Sequence, residues 1–296
     1  MIVVIAGPTA VGKTKLSVEL AKKINGEIIN ADSTQVYRKM NIGTAKVTEA
    51  EKEGIPHYLF DIKDVNEDYT VYDYQRDCRY YIEDILNRGK TPILVGGTGL
   101  YIKAALYNYE FKDEDTNYDF SNLSNEEVYN KLKKLDPNVD IHPNNRKRVE
   151  RALTYILNNN ESISTNKLGS RLIYDDVLFI GLTTDREILY DRINKRVDVM
   201  VDNGLLEEAK YFYDMGIHSK AVMTPICYKE LFDYFDGKLT LDEALDLIRQ
   251  RSRKYAKRQY TWFNHQIPIK WFEVNFDNFG DTIGNVYNFI ISNSTK

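Results

Sequence analysis

The feature that most constrains this chain is a phosphate-loop motif close to its start. Residues 7–14 fit the pattern G-x-x-x-x-G-K-[ST] and directly follow a short apolar, β-branched run, Ile2–Ala6. Leu16, Leu20 and Ile24 then recur at helical spacing. The motif requires this strand–loop–helix context, because its glycines let successive N–H groups and a helix N-terminus face an anion. The sequence therefore predicts a phosphate or diphosphate site.

The same motif assigns chemistry to two side chains. Lys13 is expected to reach a terminal phosphate, and the Thr14 hydroxyl is expected to ligate Mg²⁺. Motor-type NTPases also carry an acidic Mg²⁺ ligand at the end of a second apolar strand. Here the apolar segment 92–95 ends in Gly96 and Gly97, with no carboxylate. This disfavours a motor or switch ATPase and leaves small-molecule kinases and other transferases of phosphoryl or diphosphate groups. The residues expected to bind the phosphates are Gly7, Pro8, Thr9, Ala10, Val11, Gly12, Lys13 and Thr14.

The order of strand-like and helix-like segments predicts an α/β fold. Strands that are apolar throughout are covered on both faces, as in parallel sheets. Thr184 and Glu187 have the spacing of a capping box, so a helix is expected to begin at Thr184, and Gly204 is expected to end it. A long helix is predicted at 241–263. The predicted strands are 2–6, 27–31, 92–95, 177–182 and 269–272.

A helical insertion is expected to interrupt the sheet. Residues 110–140 carry nine acidic residues against four lysines, a local charge of −5, and helices are predicted at about 126–135 and 145–157. We therefore expect a catalytic core formed by 1–109 and 175–296, and a mainly helical insertion at 110–174.

One carboxylate and two arginines are candidates for the site. Asp32 follows the second predicted strand, and ligands of doubly wound sheets bind beyond the carboxyl ends of the strands. Asp32 is therefore expected to face a substrate, with a turn or helix-capping role as the equal alternative. Arg192 and Arg196 lie four residues apart and share one helix face, where solvent exposure is the commoner situation.

Charge is segregated along the chain. The net charge is only −4, yet residues 49–84 carry eleven acids against four bases, and residues 249–270 carry seven bases and no acid. Tyr255, Tyr260 and Trp262 lie among those bases. Positive charge with aromatic side chains is what single-stranded RNA recognition uses, the alternative being a helix packed on its own acidic domain.

Cysteine content and hydropathy point to a cytoplasmic protein. Cys78 and Cys227 are too few for a disulfide framework or a zinc cluster, which favours a reducing compartment. No apolar run approaches the ~20 residues that a membrane span requires. A monomer is the default expectation.

Seven segments, taken in order, together resemble one family, the tRNA dimethylallyltransferases (tRNA isopentenyltransferases). The resemblance covers nearly the whole chain. A bacterial-type member is expected, because no C-terminal Cys/His zinc module of the kind that eukaryotic relatives append follows. The segments are 7–14; 32–38; 42–46; 92–101; 141–144 with Arg148 and 151–153; 192–197; and 255–259 with 261–263.

This resemblance implies transfer of a dimethylallyl group from dimethylallyl diphosphate to N6 of adenosine 37, in tRNAs that read codons beginning with U. It implies a P-loop-kinase-like parallel sheet flanked by helices, an insertion that binds the anticodon stem-loop, and Mg²⁺ as cofactor. Asp32 is then the general base, and Arg196 and Thr98 bind the departing diphosphate. The implied tRNA contacts are Asp32, Ser33, Thr34, Gln35, Lys147, Arg148 and Arg151.

The chain departs from the family's usual pattern at residues 224–230, where Cys227 replaces a glycine. Glycine permits close backbone approach or positive φ, and Cys227 is expected to resist both. Weaker tRNA binding or slower turnover is therefore expected. Two other functions stay open from the residues: a small-molecule kinase that uses the phosphate loop alone, and a tRNA-binding protein without catalysis.

Overall fold

A computed structural model describes residues 1–111, 118–164 and 169–294, and it has the predicted α/β architecture. Six strands form one parallel sheet in the order β3–β2–β4–β1–β5–β6. The strands are β1 (Ile2–Ala6), β2 (Gly26–Asn30), β3 (His57–Tyr58), β4 (Thr91–Gly96), β5 (Val177–Thr183) and β6 (Lys270–Glu273).

Helices make up most of the remaining described chain. The sequence patterns named neither the short β3 nor the helices at 49–52, 71–87, 99–106, 205–214, 220–223, 228–235 and 279–294. The helices are α1 (Lys13–Lys23), α2 (Glu49–Lys52), α3 (Val71–Asn87), α4 (Gly99–Leu106), α5 (Asn125–Leu135), α6 (Arg146–Asn159), α7 (Arg186–Asp202), α8 (Leu205–Asp214), α9 (Lys220–Met223), α10 (Tyr228–Phe235), α11 (Leu241–Gln266) and α12 (Phe279–Ser294).

The chain divides into two compact units. The first comprises Met1–Leu106 and Tyr174–Lys296, and the second comprises Tyr107–Ile173. The second unit contains α5 and α6, which pack through buried side chains such as Leu132 and Leu153. The insertion predicted at 110–174 overlaps this unit, although 112–117 and 165–168 lie outside the described residues.

The position of β1 explains why the site forms where it does. All five β1 residues are buried, and the strand pairs in parallel with β4 on one side and β5 on the other. The carboxyl ends of β1, β2 and β4 therefore lie at one edge of the sheet. The phosphate loop, Asp32 and the Gly96–Gly97 turn leave from that edge, which is where ligands bind in such folds.

The capping box expected at Thr184 is wrong. The N-cap is Asp185, whose Oδ1 accepts a hydrogen bond from the Glu187 N–H at 2.7 Å. A carboxylate caps a helix well because it also meets the positive end of the helix dipole, so Asp185 takes the position instead of Thr184. The buried face of α7 consists of Leu189, Ile193 and Val197.

Among the described residues, no helix combines the length and the apolar character needed to cross a membrane.

Candidate active site

The strand ends of the first unit open onto a cavity of about 590 Å³. Three of the predicted motifs meet in its wall: the phosphate loop, the segment after β2, and the arginine face of α7. The segments 43–45 and 224–227 also line it, as do residues of α11 such as Tyr255 and Arg258. The predicted site residues in the wall are Thr9, Ala10, Gly12, Lys13, Thr14, Asp32, Ser33, Thr34, Gln35 and Arg196.

The phosphate loop depends on its glycines. Gly7 has a φ of 142° and Gly12 a φ of 101°, a region that L-residues avoid. A Cβ on Gly7 would lie 2.8 Å from the Leu182 carbonyl oxygen, and one on Gly12 would lie 2.9 Å from the Phe279 ring. Ala10 adopts a left-handed φ of 66° without being glycine. The loop is therefore a strained backbone that needs support from its surroundings.

The Lys13 side chain folds back onto the phosphate loop. Its Nζ donates to the carbonyl oxygens of Gly7, at 3.0 Å, and Pro8, at 2.7 Å. The pKa of Lys13 is lowered to about 7, mainly by burial and also by the positive charge of Arg196, while Asp32 opposes the shift. A bound anion stabilises the protonated amine, so an anionic ligand and a proton are expected to bind together at this side chain.

Asp32 is part of a turn, and one of its carboxylate oxygens can still accept a hydrogen bond. Its Oδ1 accepts from the Thr34 N–H at 3.0 Å and from the Thr34 hydroxyl at 2.7 Å. Its own N–H donates to Oδ1 of the buried Asn30 at 2.9 Å. Within the described chain no group donates to Asp32 Oδ2. One oxygen of Asp32 therefore fixes the turn, and the other is available at the cavity.

The two arginines of α7 do different things. Arg192 Nε donates to the Ala10 carbonyl oxygen at 3.0 Å, and its guanidinium lies 3.8 Å from the centroid of the Phe276 ring. Arg196 lies in the wall, where burial lowers its pKa, and no carboxylate of the described residues lies within 4.0 Å of it. A desolvated guanidinium without an ion pair favours an anionic ligand.

Comparison with known proteins gives this arrangement a family. The model of the IPP transferase family matches residues 35–266. The chain belongs to the IPP transferase family. A tRNA dimethylallyltransferase of Anoxybacillus flavithermus is 50% identical over 283 residues, which are 93% of this chain and 91% of that protein.

Two solved structures of the same family have the same fold. The tRNA isopentenylpyrophosphate transferase of Bacillus halodurans is 44% identical, with a TM-score of 0.76 over 99% of this chain and 96% of that one. A eukaryotic dimethylallyltransferase acting on tRNA is 32% identical, with a TM-score of 0.83 over 99% of this chain and 79% of that one.

Thr98 and Gln35 act on neighbouring backbone in this IPP transferase family member. Thr98 Oγ1 accepts from the Ser33 N–H at 3.1 Å. Ser33 lines the cavity, and Thr98 does not. Gln35 Nε2 donates to the carbonyl oxygens of Thr44 and Ala45 at 3.0 and 3.2 Å. These contacts fix the segment after β2 against the turn after β4 and against residues 44–45.

The remaining candidates for tRNA contact lie in the second unit. Lys147, Arg148 and Arg151 are exposed on α6, and none pairs with a carboxylate of the described residues. Arg146, by contrast, pairs with Glu150 at 2.6 Å and donates to the Leu123 carbonyl oxygen at 2.7 Å. The start of α6 therefore has one structural arginine and three exposed cations.

Glu208 is a site-supporting residue that sequence reasoning missed. Its carboxylate accepts from the N–H groups of Asn41, Ile42 and Gly43 at 2.8, 2.8 and 2.9 Å. It also accepts from the Tyr228 hydroxyl at 2.7 Å, and a Cβ on Gly43 would lie 2.7 Å from that tyrosine ring. A lone glutamate on an amphipathic helix resembles any surface residue; the glycine of the 42–46 motif was the only local signal.

Cys227 adopts the conformation that the sequence led us to expect it to resist. It has a φ of 110° and is buried in the cavity wall, where it precedes α10. Its N–H donates to Glu230 at 2.9 Å, and Glu230 is buried and paired with Arg251. Burial raises the pKa of the Cys227 thiol, which therefore stays protonated at neutral pH.

The basic stretch of α11 is only partly available to a ligand. Arg249 pairs with Asp198 and Asp246, each at 2.6 Å, and Arg251 pairs with Glu230. Arg253 donates to the Asn194 side chain at 2.6 Å. The cations left exposed on this helix are Lys254, Lys257 and Arg258, and Arg258 lies at the cavity wall.

Proposed function

We propose that this protein is a tRNA dimethylallyltransferase that uses dimethylallyl diphosphate and modifies N6 of adenosine 37, in tRNAs reading codons that begin with U. The observation that carries the proposal is the shared cavity wall. It has the phosphate loop with Lys13, and it has Arg196, which forms no ion pair with the described residues. It also has Asp32, whose Oδ2 accepts no hydrogen bond within the described part of the chain. The 50% identity to a tRNA dimethylallyltransferase supports the same reaction.

The reaction exchanges one bond for another. The bond between C1 of the dimethylallyl group and the diphosphate oxygen breaks, and a bond between C1 and N6 of adenine forms. The electron pair of the broken bond leaves with the diphosphate, so negative charge gathers there. The loop N–H groups, Lys13 and Arg196 are groups of the kind that stabilise such charge in a water-poor site.

The nucleophile must lose a proton as it reacts. The exocyclic amine of adenine is a weak nucleophile, and the product nitrogen carries one hydrogen fewer. Asp32 is proposed to accept that proton at Oδ2, while Oδ1 stays bound to Thr34. A positioned general base contributes about 10²–10⁴-fold to such a rate.

The donor set fits Mg²⁺. Thr14 lies in the first turn of α1 at the cavity and offers a hydroxyl oxygen. The described residues contain no cluster of His, Cys, Asp or Glu that would hold a metal alone. Mg²⁺ is usually bound by one or two protein oxygens together with substrate phosphates and waters. Thr14 would hold the ion, which when bound neutralises part of the diphosphate charge.

Adenosine 37 has to leave its stack to reach such a cavity, so contacts elsewhere must offset the unstacking free energy. We assign Ser33, Thr34 and Gln35 to the flipped nucleotide, because they lie in the wall beside Asp32. Lys147, Arg148 and Arg151 are assigned to the phosphates of the anticodon stem-loop, because their charges are exposed and lack ion pairs with described carboxylates.

Label transfer from dimethylallyl diphosphate to an anticodon stem-loop tests the proposal. We expect labelled product when adenosines occupy positions 36–38, and none when adenosine 37 becomes guanosine. Stem-loop binding without product under any condition would instead indicate a tRNA-binding protein. Thermal protection by ATP, with none from dimethylallyl diphosphate, would indicate a small-molecule kinase.

A further inference from the structure

The side chain of Gln259 joins two segments of the site that are far apart in sequence. Gln259 lies on α11 and is only 5% exposed. Its Oε1 accepts from the Thr9 N–H at 3.1 Å, and its Nε2 donates to the Gly97 carbonyl oxygen at 3.1 Å. Thr9 follows β1 and Gly97 follows β4, so one amide holds the phosphate loop and the neighbouring turn together.

The glycines of that turn are shaped by α11. A Cβ on Gly97 would lie 2.1 Å from Gln259 Nε2, and a Cβ on Gly99 would lie 2.0 Å from the Trp262 ring. Neither separation is possible for real atoms. The turn after β4 therefore needs glycine because Gln259 and Trp262 pack directly on its backbone.

The phosphate loop is held at two adjacent residues. Gln259 binds the N–H of Thr9, and Arg192 binds the carbonyl oxygen of Ala10 at 3.0 Å. Ala10 is the residue with the left-handed φ of 66°. A strained conformation persists only where its surroundings determine it, so these two contacts keep the loop in shape before any anion arrives.

We propose that Gln259 is a positioning residue that preorganises the phosphate loop for the donor diphosphate. The inference rests on the proposed function for the identity of the anion. Both halves of the amide are needed: a glutamate accepts from Thr9 but cannot donate to Gly97, and a methionine of similar length does neither. Losing the contact makes the anion order the loop as it binds, which weakens binding.

The first experiment measures binding of inorganic diphosphate by titration calorimetry in Gln259→Met and Gln259→Glu. Gln250→Met is the matched control, because Gln250 is exposed on the same helix. We expect about tenfold weaker diphosphate binding in both Gln259 variants, of the order of a buried hydrogen bond's net contribution. The control should bind as the unaltered protein does.

Binding of the second substrate, the anticodon stem-loop, distinguishes a positioning role of Gln259 from a purely structural one. We expect a higher KM for dimethylallyl diphosphate in Gln259→Met, with unchanged affinity for the anticodon stem-loop. Equal diphosphate affinity in Gln259→Met and the unaltered protein would overturn the inference, and so would an equal loss of diphosphate and stem-loop affinity. Unaltered protein that binds diphosphate but transfers nothing would overturn the proposed function instead.

Gly97→Ala, which leaves Gln259 unchanged, keeps the inference testable if Gln259→Met does not fold, and a double-mutant cycle extends this test. Gly97→Ala should displace the Gln259 amide and weaken diphosphate binding strongly in the unaltered protein. In a Gln259→Ala background the same change meets no amide, so its effect on diphosphate binding should be at least fivefold smaller. Independent, multiplying effects of the two changes would contradict a contact that acts on the loop.

Discussion

The phosphate loop at 7–14 and the segment at 224–227 both line the cavity, and both contain residues with positive φ. They differ in the residue types that adopt this conformation. The loop places glycine at its two largest positive φ values, Gly7 and Gly12, and has a smaller left-handed φ of 66° at Ala10. The other segment has its positive φ, of 110°, at Cys227. A non-glycine residue held in such a conformation costs about 1–3 kcal/mol. The loop was therefore readable as a motif, whereas the strain at Cys227 shows only in the structure.

Among the tests of this comparison, the largest effect is expected when a glycine of the phosphate loop is replaced. Gly12→Ala forces a Cβ onto a φ of 101° and against the Phe279 ring, so the loop has to move. Misplacement of about 1 Å can lower a rate 10²-fold, and we expect at least that loss in transfer. Gly54→Ala is the control: its φ of 78° is also left-handed, but nothing lies within 4 Å. A similar loss in both variants would show a general loss of stability.

Lys13 provides a pH-dependent test of the loop side. Its pKa is lowered to about 7, so at pH 8 the free protein holds it mainly neutral. Diphosphate binding should therefore take up a proton, seen as buffer-dependent calorimetric enthalpy, and Lys13→Met should abolish the uptake. The unfolded chain binds the proton more tightly, so the contribution of Lys13 to the free energy of unfolding rises with pH from about 7 toward 10.5, the ordinary pKa of lysine. Proton release on binding would contradict this assignment.

Glu208 tests the segment 41–43, whose Gly43 lines the cavity. Glu208→Gln keeps the shape but leaves one oxygen to serve the three N–H groups and the Tyr228 hydroxyl. We expect a loss of about 1–3 kcal/mol in the free energy of unfolding and a several-fold lower transfer rate. Chemical denaturation and steady-state kinetics measure the two. Glu207→Gln, an exposed neighbour on α8, is the control and should change neither.

The smallest effect is expected at Cys227. Cys227→Gly relieves the positive φ, but it also gives up a buried side chain and adds freedom to the unfolded chain. We expect a change in stability within about 1 kcal/mol and a rise of about threefold in transfer rate. Cys227→Ala keeps the strain and should show no rise. A faster Cys227→Ala would mean that the size of the thiol, not the backbone, limits the reaction.

The features that the sequence predicts are local, whereas the features that it does not predict are contacts between residues far apart in the chain. Residues 7–14 form one local motif, and Asp32 follows a strand whose neighbours are parallel, so their meeting in the cavity follows from topology. Gln259 bonds to Thr9 across 250 positions, and Glu208 bonds to Asn41 across 167 positions. No local pattern encodes contacts at such separations. The positive stretch of α11 was likewise overcounted, because Arg249 and Arg251 are paired with acids from other helices.

The central claim is that one cavity holds a diphosphate site and, beside it, a base. The most direct test is the single-turnover transfer rate of Asp32→Asn at saturating donor and stem-loop. We predict a rate lower by about 10²–10⁴-fold, with the affinities for inorganic diphosphate and the stem-loop unchanged. A rate within twofold of the unaltered protein would contradict the claim.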